Sequence, residues 1–371
     1  MSGPVANPWI SDLAPYKPGK AKRAGGGPVE KLSANEAALG PSAAAVDAYR
    51  AAADDLWHYP DPGAMALRTA LARHHGLEAD RIVCGAGSDD LLALIAQGYA
   101  RPGDEIVHSA HGFAMYPVIA RGLGATPVPV ANRGDMAADV DGILAAVNDR
   151  TRLVYLDNPN NPTGAMLPWD EVERLHGGLP EDVILVLDAA YAETVTDARY
   201  HAGEALVARA SNVVMTRTLS KLYGLAALRI GWAYAPPAII DTLNRLRLPF
   251  NVASGAQAAA IAAVDDQAHL RRAQAHNAEW RRWLTATLMA AGLDVVPSQT
   301  NFVLVRFPDE PERRAEDALA FLTDNGVLVR WLPEQGLERY LRITIGTETQ
   351  MHAVGELLRM FTHGWTEVSD A

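Results

Sequence analysis

From about residue 42 to about residue 264, short runs of Val, Ile and Leu alternate with longer stretches of Ala/Leu-rich, helical composition. Apolar runs of strand length separated by helical segments imply βαβ units and a parallel sheet. The runs fall at residues 81–84, 105–108, 126–130, 153–156, 183–187 and 213–216. Several are continuous or nearly continuous apolar runs, as expected for strands covered on both faces. A long segment of helical composition, about 256–291, leads into a later block. That block has strand-like runs at 301–305, 327–330 and 341–345, with helical stretches at 314–325 and 348–361, and reads as a smaller α+β unit. The first thirty residues are rich in Pro, Gly and Lys and read as an extended arm.

Composition narrows the classes of function. A chain of 371 residues suits two domains and can bury its cores without a metal or disulfide scaffold. Lys plus Arg number 33 against 44 Asp plus Glu, and the net charge of −11 argues against a nucleic-acid partner. The single cysteine, Cys84, sits in an apolar run and reads as a small buried hydrophobe in a reducing compartment. The first residues lack a charged segment leading into an apolar one, and no stretch approaches the roughly 20 apolar residues of a membrane span. A cytoplasmic protein with no membrane partner is expected. His74-His75 and His108/His111 have no Cys or acidic partner at ligand spacing, so no metal is expected. The pairs Arg271-Arg272 and Arg281-Arg282, on a helical stretch with acids nearby, read as a solvated face.

Four segments carry candidate chemistry. Lys221 follows an apolar strand within Thr216 to Gly224, with Arg229 eight residues on. A semi-buried lysine beside cationic or phosphate-binding groups suits Schiff-base formation, whereas alone it would be an ordinary turn lysine. Asp188 ends the run that begins at Val183 and is followed by Tyr191. Ligands of open α/β sheets bind at the carboxyl ends of the strands, where such an acid can pair with a pyridinium nitrogen; as an isolated residue it would be a helix cap. The run Asp157 to Gly164 holds two asparagines between two prolines, a tight turn that projects side-chain amides. In Cys84 to Asp90, glycines precede a helix start, which lets backbone N–H groups approach an anion; a plain helix cap is the other reading.

Together these segments resemble the fold-type I aminotransferases, and within them the histidinol-phosphate aminotransferase family. The resemblance runs from Ala14 to the C-terminal helix and rests on an ordered set: Ala14 to Lys20, Lys31 to Glu36, Tyr59 to Asp61, Gly85 to Asp89, Asn158 to Gly164, Asp188 to Tyr191, Arg217 to Lys221, Arg229, and Leu341 to Thr347. It implies a large domain with a mostly parallel seven-stranded sheet flanked by helices, over residues 42–265. A small α+β domain would be built from 266–371 and from the arm, 1–41. It implies pyridoxal 5′-phosphate as cofactor. Lys221 would bind it covalently and shuttle the substrate proton. Asp188 would pair with the ring nitrogen, and Asn161 and Tyr191 would bond the phenolic oxygen. Phosphate would be held by Ala86, Gly87, Ser88, Thr218, Ser220, Arg229 and by Tyr59 from a second subunit, which makes the site depend on a homodimer. Phe113 would stack on the ring. Arg342, Arg330, Tyr16 and Asn35 would bind substrate, with Arg342 gripping an α-carboxylate.

The implied reaction is transamination between L-histidinol phosphate and 2-oxoglutarate, a step of histidine biosynthesis. The alternatives are an aromatic amino-acid aminotransferase, an amino-acid-phosphate decarboxylase of the same fold, or a non-catalytic cofactor-binding regulator, which the lack of a basic face disfavours. Two departures from the family pattern, Ala37-Ala38 after Asn35-Glu36 and Ala189 after Asp188, bear on substrate preference more than on reaction type.

Overall fold

The computed structural model describes residues 3–11, 13 and 29–363. Among these residues the strands are β1 (Glu30–Lys31), β2 (Ile82–Gly85), β3 (Glu105–Ser109), β4 (Thr126–Val130), β5 (Thr151–Asp157), β6 (Ile184–Asp188), β7 (Val213–Thr218), β8 (Gly231–Tyr234), β9 (Asp294–Val296), β10 (Phe302–Arg306), β11 (Val327–Leu328), β12 (Arg330–Leu332) and β13 (Leu337–Thr344). They form a seven-stranded sheet in the order β2-β8-β7-β6-β5-β3-β4, a four-stranded sheet β12-β13-β10-β9 and a two-stranded pair β1-β11.

The large sheet is parallel except for β8, which runs antiparallel to β2 and to β7. Its central strands are apolar runs because helices cover both faces, and every residue of β6 and β7 is buried. Two apolar clusters fill those faces: Val154, Leu185 and Val213 belong to one, Tyr155, Val186 and Val214 to the other. Adjacent residues alternate between clusters as the strand's period of two dictates. The antiparallel small sheet and its helices enclose a third cluster, and Leu32, just after β1, packs into it. The chain around β1, within residues 1–41, therefore packs against the small α+β unit.

Four expectations need revision. The apolar pattern did not single out β8, whose Gly, Trp, Ala and Tyr form no run of Val, Ile or Leu. The helical stretch over 256–291 breaks at Asp266, whose carboxylate accepts the His269 N–H at 3.0 Å and caps a new helix, Gln267–Ala290, after Ser254–Asp265. The run 327–330 divides, so that β11 pairs with β1 while β12 pairs with β13. Arg281 is not on a solvated face: it is 5% exposed and donates to the Thr194 and Thr300 carbonyls, Thr196 Oγ1 and Gln299 Oε1. Those partners lie outside its own helix, which is why nearby sequence gave no sign of them. Cys84 is buried as expected. Among the described residues no helix is long and apolar enough to cross a membrane.

Candidate active site

The carboxyl ends of β5, β6 and β7 bring the candidate residues together. Asp157 and Asp188 close neighbouring parallel strands and are register partners. Asp188 Oδ2 accepts the Tyr116 hydroxyl at 3.0 Å, and Oδ1 accepts Thr216 Oγ1 at 3.3 Å. Burial pushes the Asp188 carboxyl up to about 6, with hydrogen bonding from Tyr116 opposing the rise. Burial also raises Asp157 to about 7; the Asn161 N–H opposes this, and the charge of Asp188 adds to it. Asp157 receives Asn160 Nδ2 at 3.0 Å and the Asn161 N–H at 2.9 Å, so the carboxylate shapes the Asn/Pro turn from within.

Asn161 sits at the outer edge of that turn, where its Oδ1 accepts Arg342 Nη1 at 2.6 Å. Arg342 lies on β13, also donates to the Ser33 carbonyl at 3.0 Å, and holds its guanidinium 5.2 Å from the Phe302 ring centre. Arg330 is its register partner on β12 and is paired with Glu334 at 3.3 Å. Asn35, with φ of 56°, donates from Nδ2 to the Tyr191 hydroxyl at 2.9 Å, while its own N–H is held by Thr344 Oγ1 at 3.0 Å. Lys221 Nζ stands 5.3 Å from the centre of the Tyr191 ring. Asn35, Asn161, Tyr191, Lys221 and Arg342 thus meet where the large sheet faces the small domain.

A second group of candidates forms a cradle at the β2-β8-β7 end of the sheet. Gly231 is register partner of both Gly85 and Thr218. A Cβ on Gly231 would lie 2.2 Å from the Ser88 nitrogen, so only glycine lets the start of helix Ser88–Tyr99 settle over β8. Gly87 has φ of 97°, and a Cβ there would lie 2.5 Å from Arg229 Nη2. Arg229 itself adopts a left-handed conformation, φ 53°, and points Nη1 at Ser220 Oγ, 3.4 Å away. Thr218 Oγ1 donates to Ser220 Oγ at 3.0 Å. A helix start, two hydroxyls and a guanidinium around glycine backbone make a fit for a phosphate group. One expected donor is otherwise engaged: the Ala86 N–H is held by Asp90 Oδ2 at 2.9 Å, because an acid in the helix's first turn reaches back over the loop.

Phe113 is half-buried and meets Tyr116 edge-on, with centroids 5.7 Å apart. Tyr59 is 82% exposed and stacks on Phe250 at 4.6 Å. Tyr16 lies outside the described residues. Tyr116, Thr216, Gly231 and Ser33 were not anticipated. Tyr116, at the start of the helix that follows Phe113, reads as core in the sequence, and the others are likewise set by partners far along the chain.

Comparison with known proteins identifies the family. The family model described as aminotransferase class I and II matches residues 28–358. The chain is 50% identical over 362 residues to the histidinol-phosphate aminotransferase of Rhodopseudomonas palustris (strain BisB18), covering 97% of this chain and 99% of that protein. It is 51% identical over 358 residues to that of Sphingopyxis alaskensis, covering 95% of this chain and 96% of the relative. Among solved structures, the histidinol-phosphate aminotransferase from Sinorhizobium meliloti in complex with pyridoxal-5′-phosphate superposes with a TM-score of 0.88 at 32% identity, covering 98% of this chain and 99% of the other. The chain belongs to the class I and II aminotransferases and, within them, to the histidinol-phosphate aminotransferase family.

Proposed function

We propose that this chain transfers the amino group of L-histidinol phosphate to 2-oxoglutarate, giving imidazole-acetol phosphate and L-glutamate, with pyridoxal 5′-phosphate as cofactor. The observation that carries the reading is the meeting of Lys221, Tyr191, Asn161 and Arg342 beside the Gly87/Arg229 cradle in a chain half identical to histidinol-phosphate aminotransferases along almost its whole length. When bound, the cofactor supplies an electron sink for the carbanion at the substrate carbon.

The chain's own residues do the rest. Gly87, Ser88, Thr218, Ser220 and Arg229 hold the phosphate, and Asp188 faces the ring nitrogen and keeps a proton there. Asn161 and Tyr191 orient the phenolic oxygen, and Phe113 covers one face of the ring. Lys221 anchors the cofactor and moves the proton at its Nζ. Arg342 receives the α-carboxylate of glutamate or 2-oxoglutarate in two parallel hydrogen bonds, while Arg330, Asn35 and Tyr16 serve the other end of the substrate.

A homodimer completes the site, with Tyr59 reaching the partner's phosphate. Support comes from the large apolar side chains of Leu56, Trp57, Tyr59 and Leu248, which are 74%, 79%, 82% and 76% exposed, with Tyr59 stacked on Phe250, two residues after Leu248; clustered exposed apolar groups mark interaction surfaces. The lone buried thiol of Cys84 fits a cytoplasmic protein. Division into residues 1–41, 42–265 and 266–371 is favoured by the helix break at Asp266 and by Leu32 packing in the small core.

The test is a half-reaction screen that follows cofactor absorbance in a single turnover. L-histidinol phosphate should convert the cofactor far faster than phenylalanine and without release of carbon dioxide. Preference for phenylalanine would favour the aromatic aminotransferase, and carbon dioxide release the decarboxylase.

A further inference from the structure

Tyr116 is fully buried, with two aromatic rings against its own ring and one acceptor at its hydroxyl. Tyr155 stacks on it at 4.6 Å and 9°, and is itself pinned by donation of its hydroxyl to the Leu92 carbonyl at 2.8 Å. Phe113 meets it at 86° from another side. Its hydroxyl donates to Asp188 Oδ2 at 3.0 Å, a shorter contact than the 3.3 Å that Thr216 makes to the other oxygen. A carboxylate this buried, with Asp157 as register partner on the next strand, is drawn toward the neutral form and gains most from a donor that favours its charge.

We propose that Tyr116 is the positioning residue of this site: its hydroxyl fixes the Asp188 carboxylate in place and in charge, and its ring ties that carboxylate to Phe113, so that the group meeting the cofactor's ring nitrogen and the group covering the ring's face are set by one side chain. The inference rests on the assignment of Asp188 to the ring nitrogen made above. Without the hydroxyl, the buried carboxyl takes up a proton and turns more freely, and both changes weaken its hold on a cationic nitrogen.

Tyr116→Phe keeps the aromatic stack and removes only the donor. The full-length protein, stripped of cofactor, is titrated with pyridoxamine 5′-phosphate and with the analogue carrying carbon in place of the ring nitrogen. The substitution should weaken binding of the nitrogen-bearing ligand about tenfold, the scale of one hydrogen bond to a charged group, and leave the analogue within about twofold. A purely structural role would weaken both ligands alike. Equal losses, or no loss for either ligand, would overturn the proposal. Asp188→Asn tests the underlying assignment separately: if it binds the two ligands in the wild-type ratio, Asp188 does not serve the nitrogen and the role of Tyr116 falls with it.

Discussion

Arg342 Nη1 donates to Asn161 Oδ1 at 2.6 Å, which joins the Asn/Pro turn after β5 to the last strand of the small sheet. A second nitrogen of the same guanidinium reaches the Ser33 carbonyl at 3.0 Å, so one side chain holds the turn, the segment after the arm and β13 together. Lysine cannot reproduce that planar fork. Arg342→Lys should lower kcat/KM by about tenfold or more, the scale of a lost charged hydrogen bond, chiefly through KM for 2-oxoglutarate. A change below about twofold in steady-state assays would contradict the role given to Arg342.

Gly87 is held at φ 97° with Arg229 pressed against it. An added methyl meets Nη2 and strains the backbone by about 1 kcal/mol. Gly87→Ala should therefore weaken pyridoxal 5′-phosphate binding at least tenfold by pushing the guanidinium aside. The cofactor-free protein should lose only a few degrees of melting temperature. Equilibrium dialysis and thermal unfolding check the two halves.

The paired acids give a pH signature. Asp157 and Asp188 ordinarily titrate at 3.8, and in the folded chain they are raised to about 7 and about 6. Between those limits the folded state binds more protons than the unfolded one, so stability is greatest below pH 4 on this account and is lost as pH rises toward 7. Urea unfolding of the cofactor-free protein should show this decline flatten in Asp157→Asn. A slope identical to wild type would place the titration elsewhere.

Arg281 makes its hydrogen bonds to residues on two other segments and is held 5% exposed. Arg281→Ala strands those acceptors and should cost about 2–4 kcal/mol in chemical denaturation, whereas its exposed neighbour Arg282→Ala should cost under about 0.5 kcal/mol.

The contrast between Arg281 and Arg282 shows what the sequence carried. Local pattern was enough for β3, β5, β6 and β7, because those strands are buried almost throughout and each carries an apolar run. It was enough for Asp188 and Lys221 as candidates, since each sits at a strand end where a ligand binds. It failed at β8, at the split of 327–330 and at Arg281, where the deciding partner is far along the chain and leaves no local period. Tyr116 was hidden for a related reason: a buried tyrosine near Phe113 reads as core until the hydroxyl's acceptor, seventy-two residues away, is known.

The central claim is that Lys221 carries the cofactor. The remaining lysines, Lys17, Lys20, Lys22 and Lys31, all lie near the start of the chain, so peptide mapping separates them from Lys221 without ambiguity. Borohydride reduction of the protein loaded with pyridoxal 5′-phosphate, followed by mass spectrometry of the peptides, should place a single phosphopyridoxyl group on Lys221 and none in Lys221→Ala. A group fixed on another lysine, or undiminished labelling of the Lys221→Ala protein, would contradict the account.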